Sequence, residues 1–244
     1  MANPFRAETI AFSRRPILNL LGLPRAPAFL VFLRQLYFSG AQSFVVVCLS
    51  AILFGAGFIL AFKSVFSTSI SFAALELLGV VTVRSLSVLI PALIFCARSV
   101  SAITSELCLM SITGEVKTLR FLSVSPWTYL LLPRLVAASF SMAFLTIYFM
   151  FASLVSGAIV AGDSFGLAQI IIVFDAVRPV EVCSAIFRSA FIGALLVAWI
   201  FRFEVTGIAS FPDVSRTTSS AILHALLLLL VSEAIYQALI FPLL

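Results

Sequence analysis

Residues 225–241 read ALLLLLVSEAIYQALIF, an apolar run long enough to cross a bilayer as one α-helix. The hydrocarbon core of a membrane is about 30 Å thick and a helix rises about 1.5 Å per residue, so a span needs about 20 apolar residues. A strand of a membrane β-barrel would alternate apolar and polar residues over about ten positions. This run does not alternate, and it therefore predicts a membrane helix.

Similar runs occur along the rest of the chain. The 244 residues are 62% hydrophobic and only 10% charged, whereas a soluble domain carries about 25% charged residues. We therefore expect an all-α membrane protein with five transmembrane helices. The chain would consist of an N-terminal segment (1–43) and a transmembrane domain (44–244) that contains all five. The predicted spans are 44–62, 79–104, 131–161, 183–201 and 220–243.

Lysine and arginine placement predicts the orientation, because loops rich in these residues stay in the cytosol. With a cytosolic N-terminus, ten Lys and Arg residues fall on the cytosolic side, and only Lys63 and Arg178 fall on the far side. An odd number of spans then places the C-terminus outside. This asymmetry accounts for most of the net charge of +5, which gives no reason to expect nucleic-acid binding.

The N-terminal segment does not resemble a secretory signal, since three prolines interrupt its apolar stretches and no small-residue cleavage site follows them. Between Ala28 and Phe44, apolar residues mix with Arg34, Gln35 and Ser39. This mixture predicts a helix lying in the membrane interface. The alternative is that these residues simply extend the first span.

Several kinds of chemistry are absent from the sequence. It has no G-x-x-x-x-G-K-[ST] phosphate loop, so the chain itself is not expected to bind and hydrolyse ATP. His224 is the only histidine, and no second metal ligand lies near it in sequence. We therefore expect no catalytic site, no metal site and no cofactor on this chain.

A few ionisable residues fall within the predicted spans, where charges are costly and often functional. Glu233 lies midway along the fifth span, and Arg84 and Arg98 lie on the second. One interpretation is structural: Glu233 pairs with an arginine, or hydrogen-bonds to Ser or Tyr of a neighbouring helix. The other interpretation is a polar patch that faces a central cavity and contacts a lipid headgroup.

The stretch from Arg98 to Arg134 is a semi-polar island between long apolar runs. We expect a cytosolic helix at about 105–125, on which a separate motor protein docks. Ile112, Val116 and Leu119 recur at i, i+4 and i+7, the spacing of one helical face, and such a face can insert into a groove of a partner. The alternative is a helix that rests on lipid headgroups.

The same island resembles a known family. Arg98, Ser101-Ala102, Thr104, Glu106-Leu107 and Met110 are similar to the R-x-G-S-A-x-T-A-E-L-G-x-M signature of MlaE/YrbE-type permeases, the membrane subunits of ABC lipid transporters. Three further matches occur in the same order as in the family. These are Arg34-Gln35 with Gly40, Pro126 with Tyr129-Leu130 and Leu132-Pro133-Arg134, and the run Val214–Ile222.

The chain also departs from that pattern. The family's R-E-L-G-P reads Arg84-Ser85-Leu86-Ser87-Val88 here, so its acidic residue is missing. Gly114 stands where the family usually has Glu, and Arg120 stands where the family often has an acidic residue. We therefore expect a divergent member whose docking surface carries a different charge pattern, matched by its ATPase.

The resemblance implies a homodimer in a bacterial inner membrane, with a separate ATPase dimer that binds ATP and Mg. It also implies a periplasmic MCE-domain partner and a phospholipid substrate. An ion-coupled secondary transporter and a non-transporting assembly subunit remain as alternatives. The residues expected to couple to the ATPase are Glu106, Met110, Ile112, Glu115, Val116, Leu119 and Arg120. Those expected along the lipid pathway are Phe58, Leu60, Phe62, Leu78, Arg84, Glu233, Tyr236 and Ile240.

Overall fold

A computed structural model describes residues 32–33, 35–66, 71–121, 130–161, 178–203 and 211–239. These residues are almost entirely helical and contain no strand. Most of the predicted N-terminal segment (1–43) and residue Ile240 lie outside them. The helices are α1 (Gln42–Phe66), α2 (Ser71–Val81), α3 (Ser87–Phe95), α4 (Ser101–Ile112), α5 (Glu115–Phe121), α6 (Leu132–Ala161), α7 (Pro179–Phe203) and α8 (Phe211–Leu239).

The five predicted spans are confirmed. Five helical stretches are long and apolar enough to cross a membrane, and each contains most of one predicted span. The long third span is a single helix, α6. The candidate spans are Gln42–Val65, Glu76–Ile112, Leu132–Ala161, Pro179–Phe201 and Val214–Ala238.

The second span is much longer than the bilayer requires, because its 37 residues would measure about 55 Å as a regular helix. It is one continuous helical rod in which π-helical turns at Thr82–Leu86 and Cys96–Val100 separate α2, α3 and α4. Pro91 lies inside α3, where it cannot donate the usual backbone hydrogen bond. We call this rod the α2–α4 helix.

The helical backbone also continues upstream of the first predicted span. It is unbroken from Gln35 through a π-helical turn at Tyr37–Ala41 into α1. The proposed boundary between residues 43 and 44 therefore falls inside a helix. The interfacial placement of the residues between Ala28 and Phe44 stays a prediction.

Small residues allow the central helix α6 to pack closely on its neighbours, as is typical of membrane bundles. Half of the most apolar window of α6 is buried, against 22% for α1. A side chain added at Gly55 of α1 would lie 2.1 Å from the carbonyl oxygen of Ser153, and one at Gly193 of α7 would lie 2.7 Å from that of Ala138. Glycine at these positions therefore lets α1 and α7 approach the α6 backbone.

Candidate functional site

Four charged side chains meet where the α2–α4 helix, α7 and α8 come together. Arg84 Nη2 lies 2.6 Å from Glu181 Oε1 of α7. Arg188 Nη1 lies 3.3 Å from Glu233 Oε1 of α8, and Arg188 Nη2 donates a hydrogen bond of 2.8 Å to the carbonyl oxygen of Arg84. We call these four residues the charge cluster.

Uncharged polar side chains extend the charge cluster along α8. The Nε2 of Gln237 donates to Ser85 Oγ at 2.9 Å and to Glu233 Oε1 at 3.2 Å. The Arg188 guanidinium lies 4.0 Å from the centre of the Tyr236 ring, within the range of a cation–π contact. Ser85, the position at which the family acid is missing, therefore takes part in the network as a neutral hydrogen-bond acceptor.

Helical spacing explains how each element presents its part of the charge cluster. Glu181 and Arg188 are seven residues apart on α7, which places them on the same face two turns apart. Glu181 lies in the first turn of α7, where the helix dipole favours an acid. Glu233 and Gln237 are four residues apart on α8, so both can face α7 and the α2–α4 helix.

Three of the four residues of the charge cluster are withdrawn from solvent, and the side chain of Arg84 is 27% exposed. Glu181, Arg188 and Glu233 are each 7–8% exposed, and its two acids balance its two bases. Removing one partner of a buried ion pair leaves an uncompensated charge, which costs about 3–5 kcal/mol. Charge balance is therefore a condition for burying these groups together.

The structure places the predicted lipid-pathway residues in three different surroundings. Arg84, Glu233 and Tyr236 belong to the polar network described above. Leu78 is fully buried in the core of α1, α2 and α6, whereas Leu60 is 57% exposed. Phe58 and Phe62 stack along α1 with ring centres 6.4 Å apart, and Ile240 lies outside the described residues.

Glu233 is paired with an arginine, in agreement with the structural interpretation drawn from the sequence. A role for Glu233 in a lipid pathway stays a prediction. The sequence reasoning did not select Glu181, Arg188 and Gln237 as candidate site residues. Their helical spacing to one another and to Glu233 was the available signal, but only the packing of three helices brings them together.

A turn at Thr113 and Gly114, which we call the corner, separates α4 from α5 at the end of the α2–α4 helix. Gly114 has a φ of +81°, a left-handed conformation that favours glycine at the end of a helix. Thr113 N donates to Leu109 O at 2.9 Å before the corner, and Thr118 N donates to Gly114 O at 3.0 Å after it. The helix expected over 105–125 is therefore divided, and Ile112 and Leu119 lie on different helices.

The predicted coupling residues surround this corner but differ in surroundings. Glu106 Oε2 lies 3.0 Å from Arg134 Nη2 at the start of α6. Met110 and Leu119 are partly buried and pack against the main core, while Glu115 is exposed, and Ile112 and Val116 are half-buried. The side chain of Arg120 is outside the described part of the structure. Phe121, which the sequence reasoning did not select, is 88% exposed at the end of α5.

Comparison with known proteins gives a consistent set of similarities. Residues 32–239 match the family "Permease MlaE". The chain is 26% identical over 235 residues to the intermembrane phospholipid transport system permease protein MlaE of Haemophilus influenzae, covering 91% of this chain and 87% of that protein. It is 27% identical over 240 residues to a probable ABC transporter permease protein of Rickettsia prowazekii, covering 94% and 91%.

A plant protein is also similar. The chain is 27% identical over 213 residues to "Protein TRIGALACTOSYLDIACYLGLYCEROL 1, chloroplastic" of Arabidopsis thaliana, and the match covers 86% of this chain. It covers 61% of the plant protein, so the chain spans less than two thirds of that relative.

Proposed function

The chain belongs to the MlaE permease family, and on that premise we propose that it is the membrane subunit of an ABC-type phospholipid transporter. Two copies of the chain would form the membrane part, and a separate ATPase dimer would bind ATP and Mg. Phospholipid would pass between the bacterial inner membrane and a periplasmic MCE-domain partner. The N-terminus would be cytosolic and the C-terminus periplasmic.

The observation that carries this proposal is the extent of the family match. Residues 32–239 contain all five candidate spans and the corner at Gly114 between α4 and α5. A relative from Haemophilus influenzae is named as a phospholipid transport permease, which supports phospholipid as the substrate class.

The corner between α4 and α5 supports the coupling part of the proposal. Phe121 is a large apolar side chain that the described residues leave 88% exposed. Under the proposed orientation it projects on the cytosolic side, beyond the core-packed Leu119. An exposed aromatic residue of this kind is a typical anchor for a pocket on a partner protein. We therefore place the ATPase contact at Phe121 and the outer face of α5.

A displacement of α5 at this contact can be transmitted to the membrane helices. α5 follows α4 through the corner, and Glu106 of α4 is paired with Arg134 of α6. α4 is the last part of the α2–α4 helix, which also carries Arg84. Through the charge cluster, Arg84 connects this helix to α7 and α8. A displacement of α5 would therefore reach the elements that carry the predicted lipid pathway.

Purification of the tagged chain in mild detergent from its native membrane tests the proposal, with mass spectrometry of the bound proteins and lipids. We expect two copies of the chain, an ATPase, an MCE-domain protein and phospholipid. A stable chain that carries neither an ATPase nor phospholipid would contradict the proposal. That result would favour an assembly subunit or an ion-coupled transporter.

A further inference from the structure

We propose, resting on the function proposed above, that the charge cluster selects phospholipids whose headgroup carries both a phosphate and an ammonium group. The pair formed by Arg188 and Glu233 would exchange partners with such a headgroup. The guanidinium of Arg188 would bind the phosphate, and the carboxylate of Glu233 would bind the ammonium. The inference rests on the depth, the unused hydrogen-bonding capacity and the charge balance of the cluster.

Two contacts indicate the depth of the charge cluster in the membrane. Arg98 donates to the backbone and side-chain oxygens of Gln42 at the start of α1, and Lys63 near the end of α1 donates to the carbonyl oxygen of Val160 at 2.9 Å. Gln42 and Lys63 are 21 residues apart, about 32 Å of helix, which is close to the thickness of the hydrocarbon core. Arg84 is 14 residues, about 21 Å, from Arg98, so it lies about two thirds of the way along this interval, nearer to the end marked by Lys63.

The charge cluster has hydrogen-bonding capacity that the described residues leave unused. Within them, Glu233 Oε2 and Arg188 Nε are buried without a hydrogen-bond partner. Buried polar atoms of native proteins are normally paired, and an unpaired one in hydrocarbon is costly. The unpaired donor and acceptor therefore belong to two side chains that already meet, since Arg188 Nη1 of α7 and Glu233 Oε1 of α8 lie 3.3 Å apart.

The charge balance of the cluster determines which headgroup fits. Separation of α8 from α7 would break the pair formed by Arg188 and Glu233 and expose one charge of each sign. A zwitterionic headgroup pairs both charges, because its phosphate accepts from the guanidinium and its ammonium donates to the carboxylate. A headgroup with only a phosphate would leave Glu233 as an uncompensated buried charge, which is strongly unfavourable.

The test uses the complete complex of this chain with its ATPase, in nanodiscs that contain equal amounts of phosphatidylethanolamine and phosphatidylglycerol. The lipids retained after extraction from the nanodisc are quantified by mass spectrometry. We expect about tenfold enrichment of phosphatidylethanolamine in the wild-type complex. Glu233→Gln removes the acceptor charge, so the enrichment should fall close to unity. Glu76→Gln, at an exposed acid on α2, is the matched control and should keep the wild-type ratio.

The outcomes separate this inference from the function on which it rests. A wild-type complex that retains both phospholipids in the bulk ratio would overturn the headgroup inference and leave the transport function intact. A wild-type complex that retains no phospholipid would contradict both. If Glu233→Gln does not fold, Glu233→Gln combined with Arg188→Met restores neutrality and should also lose the enrichment. Persistence of the wild-type enrichment in either variant would overturn the inference.

Discussion

Two glycines of α1 that are two residues apart differ completely in what surrounds them. A Cβ at Gly55 would lie 2.1 Å from Ser153 O and 2.3 Å from Ser156 Oγ, whereas a Cβ at Gly57 would have nothing within 4 Å. Gly55 therefore sets the distance between α1 and α6, and Gly57 faces outward. Hydropathy alone assigns both residues to the same span, because the distinction arises only when α6 packs against α1.

Gly55→Ala should destabilise the protein, since the carbonyl of Ser153 belongs to a helical backbone that cannot move without shifting α6. Overpacking of this kind typically costs about 1–3 kcal/mol. The thermal unfolding midpoint of the detergent-purified chain is the measurement, and it should fall by several degrees. Gly57→Ala is the matched control and should leave the midpoint unchanged. Equal midpoints for the two variants would show that α1 does not pack closely on α6.

The charge cluster shows how much of a membrane site can be predicted from single residues of the sequence. Glu233 and Arg84 stand out because ionisable residues are rare in spans, and the possibility that Glu233 pairs with an arginine follows from the cost of an unpaired charge. The identity of that arginine does not follow, because Arg84, Arg98 and Arg188 all fall in predicted spans. Glu181 was missed because it precedes the predicted fourth span, and its ion pair with Arg84 forms only when α7 packs against the α2–α4 helix.

At the scale of helices, the spans were predictable because length and hydropathy decide them. Their ends were less predictable. The predicted second span stops at residue 104, but the α2–α4 helix continues to Ile112. α4 is less apolar than the rest of the rod, and packing stabilises it, with Ile103 and Leu107 buried in the core shared with α8. The fall in hydropathy along the chain predicts the edge of the membrane-spanning segment, and it does not predict the end of the helix.

The corner at Gly114 makes a prediction about α5. Phe121→Ala should abolish or strongly reduce co-purification of the ATPase and leave the thermal stability of the chain unchanged, because Phe121 is 88% exposed and contributes little to the core. Truncation of an interface anchor typically costs at least about 2 kcal/mol of binding, a loss of more than tenfold in affinity. The measurement is the ratio of ATPase to tagged chain after affinity purification.

Phe187→Ala is the matched control for this prediction. Phe187 is 78% exposed on α7, within a candidate span and far along the chain from the corner, so the same truncation there should leave the ATPase ratio unchanged. Normal recovery of the ATPase with Phe121→Ala would refute the contact assigned to α5. Leu119→Asp is a less specific test, because Leu119 also packs against the core.

For the molecule as a whole, lysine and arginine placement predicts the orientation, and accessibility to a membrane-impermeant maleimide tests it. Arg178 precedes α7 and is exposed, and it is close in sequence to Glu181, which pairs with Arg84 of the α2–α4 helix. Phe121 follows the other end of the same helix, where Glu106 of α4 pairs with α6. In a variant with Cys183, the exposed native cysteine, replaced by serine, Arg178→Cys should react in intact cells stripped of their outer membrane. Phe121→Cys should react only after the inner membrane is opened. The reverse labelling pattern would show that the chain has the opposite orientation in the membrane.

The π-helical turns of the α2–α4 helix have a consequence for insertions and deletions. Each such turn accommodates one residue more than an α-helical turn, and successive residues of a helix are about 100° apart around its axis. Deletion of one residue inside Cys96–Val100 would therefore convert the wide turn into an α-helical turn and leave the residues beyond it nearly in phase, whereas deletion of one residue from the regular helix α3 would rotate everything beyond by about 100°. After the deletion from α3, Ile103 and Leu107 would swing out of the core, and α5 would leave the bundle in a new direction. The two wide turns at Thr82–Leu86 and Cys96–Val100 are therefore the places where the rod can lose a residue and still present the same face of α4 to the core.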